Sequence, residues 1–322
     1  MNFAPAELKL SDELQTARAL LMIRPAAFGV NTQTAGSNAY QQATVRDPTA
    51  ISRQALAETE QAASRLVAAG AELILLDDTA MPAKPDAVFP NNWVSFHGDG
   101  RVIIYPLHAA NRRLERRPEL ISALVNDHGY AISEYLDLSQ LETRALALEG
   151  TGSLIFDRPR HLAFAAISSR THPQAIAEFS RQAGYTIISF HTRDRGQPVY
   201  HTNVMLALGT RFAVICDQVI ADADERSTVL GSLDASGREL IFIGRQQMSD
   251  FAANLLEIST PNGPVIALSA RALSALDPAQ RRRLEAHGQL VAPAIDAIES
   301  GGGSLRCMLA EIFLPRVSSG PG

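Results

Sequence analysis

Residues 301–309 read GGGSLRCML and set Cys307, one of only two cysteines, directly behind three glycines. Consecutive glycines let a backbone approach a neighbour closely or take positive φ, so this thiol is placed to stand at the wall of a pocket. A thiol does nucleophilic chemistry as a thiolate, with an acid/base partner in reach and polar groups to hold the electrophile. Such groups recur at three other points: Asp86, Asn91 and Asn92 in PDAVFPNNW, Glu149 in LEGTGSLIFD, and His201 and Asn203 in YHTNVML. Arg306 adds a positive charge beside the thiol, and Arg24 in MIRPAAFG is a candidate for a substrate carboxylate or for a structural ion pair. Each has a plainer reading as well: a buried small hydrophobe for Cys307, a strand-edge imidazole for His201, and turn carboxylates for Asp86 and Glu149. Cys216 in FAVICD lacks a polar setting and reads as core, and Trp93 reads as core or as pocket wall.

Other chemistries find no support. There is no histidine pair at i, i+4 and no Cys/His cluster, so no metal site is expected. Neither GxGxxG nor GxxxxGK[ST] occurs, and the 301–303 glycines precede a strand pattern, so no phosphate cradle or nucleotide cofactor is expected. Lys+Arg 29 against Asp+Glu 34 gives a net charge of −5, which does not suit a nucleic-acid surface. No apolar run reaches the length of a membrane span, the N-terminal residues do not read as a signal peptide, and two cysteines fit free thiols in a reducing cytoplasm.

The elements that must bring these residues together are short and repeated. Residues 92–107 (NWVSFHGDGRVIIYPL), 152–167 (GSLIFDRPRHLAFAAI) and 201–217 (HTNVMLALGTRFAVICD) each read strand, turn, strand. They begin roughly 50–60 residues apart, a repeat-like spacing. Amphipathic helices are expected over 49–70, 173–184, 249–256 and 272–287, and short closing strands over 71–76, 186–190 and 264–268. The unit is hairpin, helix, strand, and five units fit the 322 residues, from about residue 19 to residue 315. Units this small cannot bury their own faces, so they must pack around a common axis. The expected architecture is a single α/β domain over 1–322, a ring of five small sheets around a channel, with 1–17 and 316–322 as tails. A generic α/β sheet with a second domain is the alternative.

In that order, PDAVFPNNW, LEGTGSLIFD, YHTNVML and ESGGGSLRCML resemble the guanidino-group-modifying (pentein) superfamily, which holds arginine deiminases, dimethylarginine dimethylaminohydrolases, succinylarginine dihydrolases and amidinotransferases. The resemblance spans nearly the whole chain and is nearest to the amidinotransferase-like, citrulline-utilisation hydrolase group. It implies a five-bladed α/β propeller and a thiol mechanism free of metal and cofactor. It also implies Cys307 as nucleophile, His201 as general acid/base and Glu149 as the carboxylate of the acidic-residue-Gly-Gly-Asp motif. Asp86 matches an aspartate that contacts substrate in the dimethylarginine enzymes. Asn92, Asn203 and Gly152 fall where many members carry acidic residues, in Phe-x-x-Asp, His-x-Asp and the Gly-Gly-Asp motif respectively.

That departure bears on the substrate. A planar guanidinium is best held by carboxylates, whereas an asparagine N–H donates to a ureido oxygen as an ionised aspartate cannot. The expectation is a hydrolase of a small ureido or guanidino compound, citrulline to ornithine foremost. Asp86, Asn92, Asn203 and Arg24 would bind substrate, with Arg306 and a protonated His201 favouring the thiolate. Glu149 either orients His201 or bonds a substrate nitrogen. Arginine deimination or dihydrolysis and amidino transfer are alternatives on the same machinery, and a non-catalytic binding module is the alternative of another class. A small-molecule partner, no nucleic acid, no membrane and a possible homodimer complete the reading.

Overall fold

In the computed structural model, which describes residues 13–38, 40–41 and 47–317, fifteen strands form five three-stranded sheets. In chain order the strands are β1 (Ala19–Arg24), β2 (Glu72–Asp77), β3 (Val94–Phe96), β4 (Arg101–Ile104), β5 (Glu134–Asp137), β6 (Ile155–Asp157), β7 (Leu162–Ile167) and β8 (Thr186–His191). They continue with β9 (Leu206–Leu208), β10 (Phe212–Ile215), β11 (Glu239–Phe242), β12 (Leu256–Ile258), β13 (Val265–Ala267), β14 (Gln289–Val291) and β15 (Ala310–Ile312). The sheets are ordered β15-β1-β2, β3-β4-β5, β6-β7-β8, β9-β10-β11 and β12-β13-β14. In each, the first pair is antiparallel and the second parallel, the latter joined by a segment containing a helix. The first blade is closed by the end of the chain: Leu21 of β1 pairs with Ala310 of β15.

Burial shows which strand faces the axis. Every residue of β3, β6, β9 and β12 is buried, as are two of three in β15, whereas the third strand of each sheet is mostly half-buried or exposed. The inner strands pack side by side, β15 on β3, β6 on β9 and β9 on β12. This is the propeller expected from the repeat. Each inner strand is three residues long.

The helices follow their caps and apolar stripes. The helix Pro48–Ala68 starts at Asp47, whose carboxylate accepts from the Thr49 and Ala50 N–H groups, and it has proline at its first position. Ile51, Ala55, Thr59, Ala62 and Leu66 form its buried stripe. From the same helix, Glu58 accepts the N–H groups of Ala297 and Ile298 and so caps the short helix Asp296–Ser300 that leads to Cys307. The helix Pro173–Ala183 buries Ala175, Ile176, Phe179 and Ala183 beneath the third blade.

Several expectations need correction. The helix expected over 272–287 is two helices, Ala270–Ala275 and Pro278–Glu285, because Pro278 cannot continue a helix and Asp277 caps the second. The helix expected over 249–256 is only Arg245–Ser249, followed by tight turns. Residues 264–268 do not close a blade. They form the second strand of a hairpin with β12, and β14 closes that blade. Of the presumed tails, residues 1–12 and 318–322 lie outside the described residues, but the inner ends of both are tied down. Gln15 bonds Phe156 O at 2.9 Å and accepts the Arg158 N–H at 3.1 Å, and Val317 donates to Gly129 O at 2.9 Å.

The third and fourth blades are joined by a buried ion pair. Arg238 makes a two-pronged contact with Asp157, at 2.8 and 3.0 Å, and its Nε donates to Gly209 O. Replacing Arg238 by alanine strips a fully buried carboxylate of its main partner and should cost about 3 kcal/mol in urea unfolding. The double variant Asp157→Leu/Arg238→Met should recover most of that loss, and failure of the double variant to recover would show that the contact is not the cause.

Candidate active site

Each inner strand is entered through a tight turn, and the five turns crowd at one end of the axis. They are Pro90–Asn92 before β3, Gly150–Ser153 before β6, Thr202–Val204 before β9, residues 251–254 before β12 and Leu305–Met308 before β15. Their side chains are Asn91 and Asn92, Glu149 at the mouth of the second turn, His201 and Asn203, Asn254, and Cys307. All are buried. The topology therefore brings together residues up to 216 positions apart (Asn91 to Cys307).

Glu149 is the centre of the bonding. Its Oε2 lies 2.8 Å from His201 Nε2, 3.5 Å from Arg170 Nη1 and 3.6 Å from Arg112 Nη1, and its Oε1 accepts the His108 N–H at 2.9 Å. Burial alone would raise the Glu149 pKa, but the Arg170 guanidinium, the His201 hydrogen bond and Arg112 outweigh it and hold the carboxyl well below the usual range. Burial pushes the His201 imidazole down, to about 4, against the opposing pull of Glu149. His201 is therefore neutral near pH 7. A carboxylate can only accept, so the ring proton sits on Nε2 and Nδ1 keeps its lone pair.

Arg112 forks onto Glu115 at 2.9 and 2.9 Å, approaches Asp86 at 3.5 Å and donates from Nη1 to Asn92 Oδ1 at 2.8 Å. Because an arginine only donates, that last bond fixes the Asn92 amide: the oxygen faces Arg112 and the nitrogen faces the site, where it donates to Asn91 Oδ1 at 2.8 Å. On the other side, Asn203 Nδ2 and Asn254 Nδ2 each lie 3.4 Å from Cys307 Sγ.

The glycines explain themselves by contact. A Cβ on Gly152 would stand 2.8 Å from His201 Nδ1 and 2.8 Å from Asn92 Nδ2, so the position expected to be acidic in relatives has no room here for any side chain. In the 301–303 run, Cβ atoms would strike Phe28, Asn38 and Phe89 at 2.9, 2.3 and 2.7 Å, which is why three glycines precede the thiol.

Sequence reasoning placed Cys307, His201, Glu149, Asp86, Asn92 and Asn203 in one site, and the structure brings all six together. Arg24 is elsewhere. It lies at the end of β1, partly exposed, paired with Glu60 and Asp77. Arg306 flanks the thiol in sequence, but its guanidinium runs the other way, to Leu309 O and Glu311, both at 2.9 Å. Trp93 is core among Val94, Phe96 and Leu107, and Cys216 is core, with burial raising its thiol to about 11. Missed by the sequence reading were Arg112, Arg170, Asn254 and the segment that roofs the site. There Asn31 donates to Asp86 at 2.7 Å, Asn38 donates to Gly302 O at 3.3 Å, and Arg170, lying over the Tyr200 ring, donates to Ser37 Oγ at 3.0 Å. The one signal was indirect: carboxylates gathered in a core require cations. Under this roof the free space is about 10 Å³, room for about one water. Outside it a vestibule of about 550 Å³ is bordered by Gln33, Ser37, His108, Gln197 and Tyr200. Among the described residues no group of three His, Cys, Asp or Glu is set to hold a metal, and no helix is long and apolar enough to cross a membrane.

Five small α/β blades around an axis, with thiol, imidazole and carboxylate on the turns at one end, define the class of guanidino-group-modifying enzymes, hydrolases of C–N bonds of the amidine type. Residues 24–314 match the family described as eukaryotic N,N-dimethylarginine dimethylhydrolase, and the chain belongs to that family. No curated protein matches it in sequence. In fold it is similar to the N-terminal domain of ArgZ, an arginine dihydrolase from the ornithine-ammonia cycle in cyanobacteria (TM-score 0.70, 16% identity, 92% of this chain and 99% of that one). It is also similar to AgrE in its complex with ornithine and NAD+ (TM-score 0.69, 15%, 94% of this chain and 40% of that one). A dimethylarginine dimethylaminohydrolase carrying an S-methyl-L-thiocitrulline adduct is a further neighbour (TM-score 0.63, 14%, 92% and 100%).

The neutral buried His201 has a stability consequence. Unfolded, it takes up its proton near pH 6.5; folded, only near 4. Between these values the unfolded chain binds the extra proton, so stability falls as the pH drops through that window. Glu149, with its depressed pKa, adds to the loss lower down, as the pH falls through the unfolded carboxyl value. Urea unfolding at about pH 7, 5.5 and 4.5 should show wild type losing about 2 kcal/mol more than His201→Gln over this range. Equal losses would place His201's proton uptake at its ordinary pH.

Proposed function

We propose that the chain is a single catalytic domain that hydrolyses the ureido group of citrulline, giving ornithine, ammonia and carbon dioxide through a covalent intermediate on Cys307. The observation that carries the ureido reading is the fixed amide of Asn92. With its oxygen taken by Arg112, it offers the site an N–H. A ureido oxygen accepts that bond, and a guanidinium, which only donates, cannot. The acids present are also already partnered: Glu149 by Arg112 and Arg170, Glu115 by Arg112, and Asp86 by Asn31 and Arg112.

The steps follow from the resting protonation. His201 is neutral, so Nδ1 takes the Cys307 proton as the sulfur attacks the ureido carbon. The imidazolium then gives that proton to the departing side-chain nitrogen, and ornithine leaves with an S-carbamoyl group on Cys307. The neutral imidazole next takes a proton from water, whose oxygen attacks the carbamoyl carbon. The sulfur leaves with its electron pair, regains a proton, and the released carbamic acid breaks down to ammonia and carbon dioxide. Both Glu149 oxygens are occupied by the protein, which supports an orienting and charge-balancing role for it towards His201. Asp86 accepts from a ureido N–H. Arg170, which lines the site and donates to Ser37 at the edge of the vestibule, is suited to the substrate's α-carboxylate in place of Arg24.

Mass-spectrometric end-point assays with citrulline and with arginine test this. Ornithine should form from citrulline, and Cys307→Ala should reduce the rate by about 10³-fold or more. Ornithine or citrulline formed from arginine, with citrulline inert, would make the chain a guanidino hydrolase instead. Asn92→Asp removes the donor and should lower citrulline turnover by about 10²-fold, while Arg24→Ala should leave it within about threefold, because a partly exposed ion pair is worth little.

A further inference from the structure

We propose that Asn254, assisted by Asn203, stabilises the negative charge that forms on the Cys307 sulfur as His201 takes its proton, so that two carboxamide N–H donors on neighbouring blades help to activate the nucleophile. The proposal rests on the reading of Cys307 as nucleophile. The charged groups expected to do this work are turned elsewhere: Arg306 to Leu309 O and Glu311, Arg112 and Arg170 to Glu149, and His201, neutral, to Glu149 as well. The donors at Sγ are Asn203 Nδ2 and Asn254 Nδ2, each at 3.4 Å.

Asn254 is the stronger of the two because its amide cannot turn over. Its Oδ1 accepts the backbone N–H of Arg306 at 3.0 Å, from the turn that carries the thiol. Its nitrogen has two hydrogens. One goes to Asn203 O at 3.1 Å, in the turn that follows His201, and the other is directed at the sulfur. Asn254 is fully buried, so these bonds are made away from water. It therefore clamps the turns of His201 and Cys307 to each other and aims one donor at the atom that becomes negative when His201 takes the thiol proton. A hydrogen bond to the charged form favours that form.

The test is a pH titration of thiolate ultraviolet absorbance, with the Cys307→Ala spectrum subtracted, on the full chain of wild type, Asn254→Ala, Asn254→Asp and Asn203→Ala, each checked for folding by circular dichroism. The midpoint should rise by about one pH unit or more in Asn254→Ala. It should rise further in Asn254→Asp, which keeps the acceptor for Arg306 N–H but sets a carboxylate oxygen against the sulfur. At neutral pH kcat should fall about ten- to a hundredfold with KM within about threefold, and raising the pH should restore part of kcat. A midpoint within about 0.3 unit of wild type in the folded variants would overturn the proposal. Should the Asn254 variants not fold, Asn203→Ala, which leaves the clamp intact, decides by the same midpoint. Turnover retained in Cys307→Ala would instead overturn the nucleophile reading, whatever the midpoints.

Discussion

A carboxylate with no exposure to water, Glu149, is the constraint around which the rest is arranged. An ion of this kind is tolerated only if other groups replace its hydration. Here two guanidiniums, an imidazole N–H and a backbone N–H do so. Each of these bonds fixes something further out. The imidazole bond sets the His201 tautomer. Arg112, held by Glu149, Glu115 and Asp86, orients the Asn92 amide, and Asn92 in turn orients Asn91. Arg170, held by Glu149 from the other side, reaches Thr34 O and Ser37 Oγ and so secures the roof. Removing one negative charge would leave two buried cations short of a partner, and the disturbance would reach the roof, the amides and the imidazole at once.

The fold delivers these groups because its blades are equivalent. A short inner strand entered through a tight turn presents the same backbone positions to the axis in every blade. Asn91, Gly152, Asn203, Ala253 and Cys307 all stand three residues before the first residue of their strand. This much was legible in the sequence, since strand-turn-strand patterns are local and recur, and the polar residues stood out against apolar strands. The alternation could not tell which member of a hairpin lies inside. Hence 264–268 was misread as a closing strand, although it pairs with Leu256–Ile258.

What could not be read was the partnership of charges. Arg112 lies in NRRLERR, a stretch that looks solvated, and Arg170 in SSRTH, which has no pattern; both are buried. Conversely Arg306 adjoins the thiol in sequence yet turns away, since in a tight turn adjacent side chains leave in different directions. Arginine looks alike in one dimension whether it faces water or a carboxylate, and only the packing of distant segments decides. Asn254 shows the same limit. Nothing in FAANLLEI marks one asparagine as a donor to a sulfur 53 residues further on. The departures from acidic residues at 92, 152 and 203 were legible, and at 152 the reason is steric: imidazole and amide have closed over the glycine.

Those departures bear on why one planar group should suit this site better than another. On the ureido reading, Asp86 accepts an N–H and Asn92 donates to the oxygen, so each polar atom meets its complement. A guanidinium of the same shape would satisfy Asp86 but set its own N–H against that of Asn92. With about one water's space under the roof, no solvent shell is at hand to relieve the mismatch. A buried donor left without an acceptor costs about 1–3 kcal/mol, more where the opposing group is charged. At 1.4 kcal/mol per factor of ten, that alone discriminates by about ten- to a hundredfold. The resident arginines work in the same sense, since a cationic substrate would compete with Arg112 and Arg170 for carboxylates they already hold, whereas a neutral one leaves those pairs intact. On that reading selectivity comes from the Asn92 donor together with acids that are already neutralised before the substrate arrives.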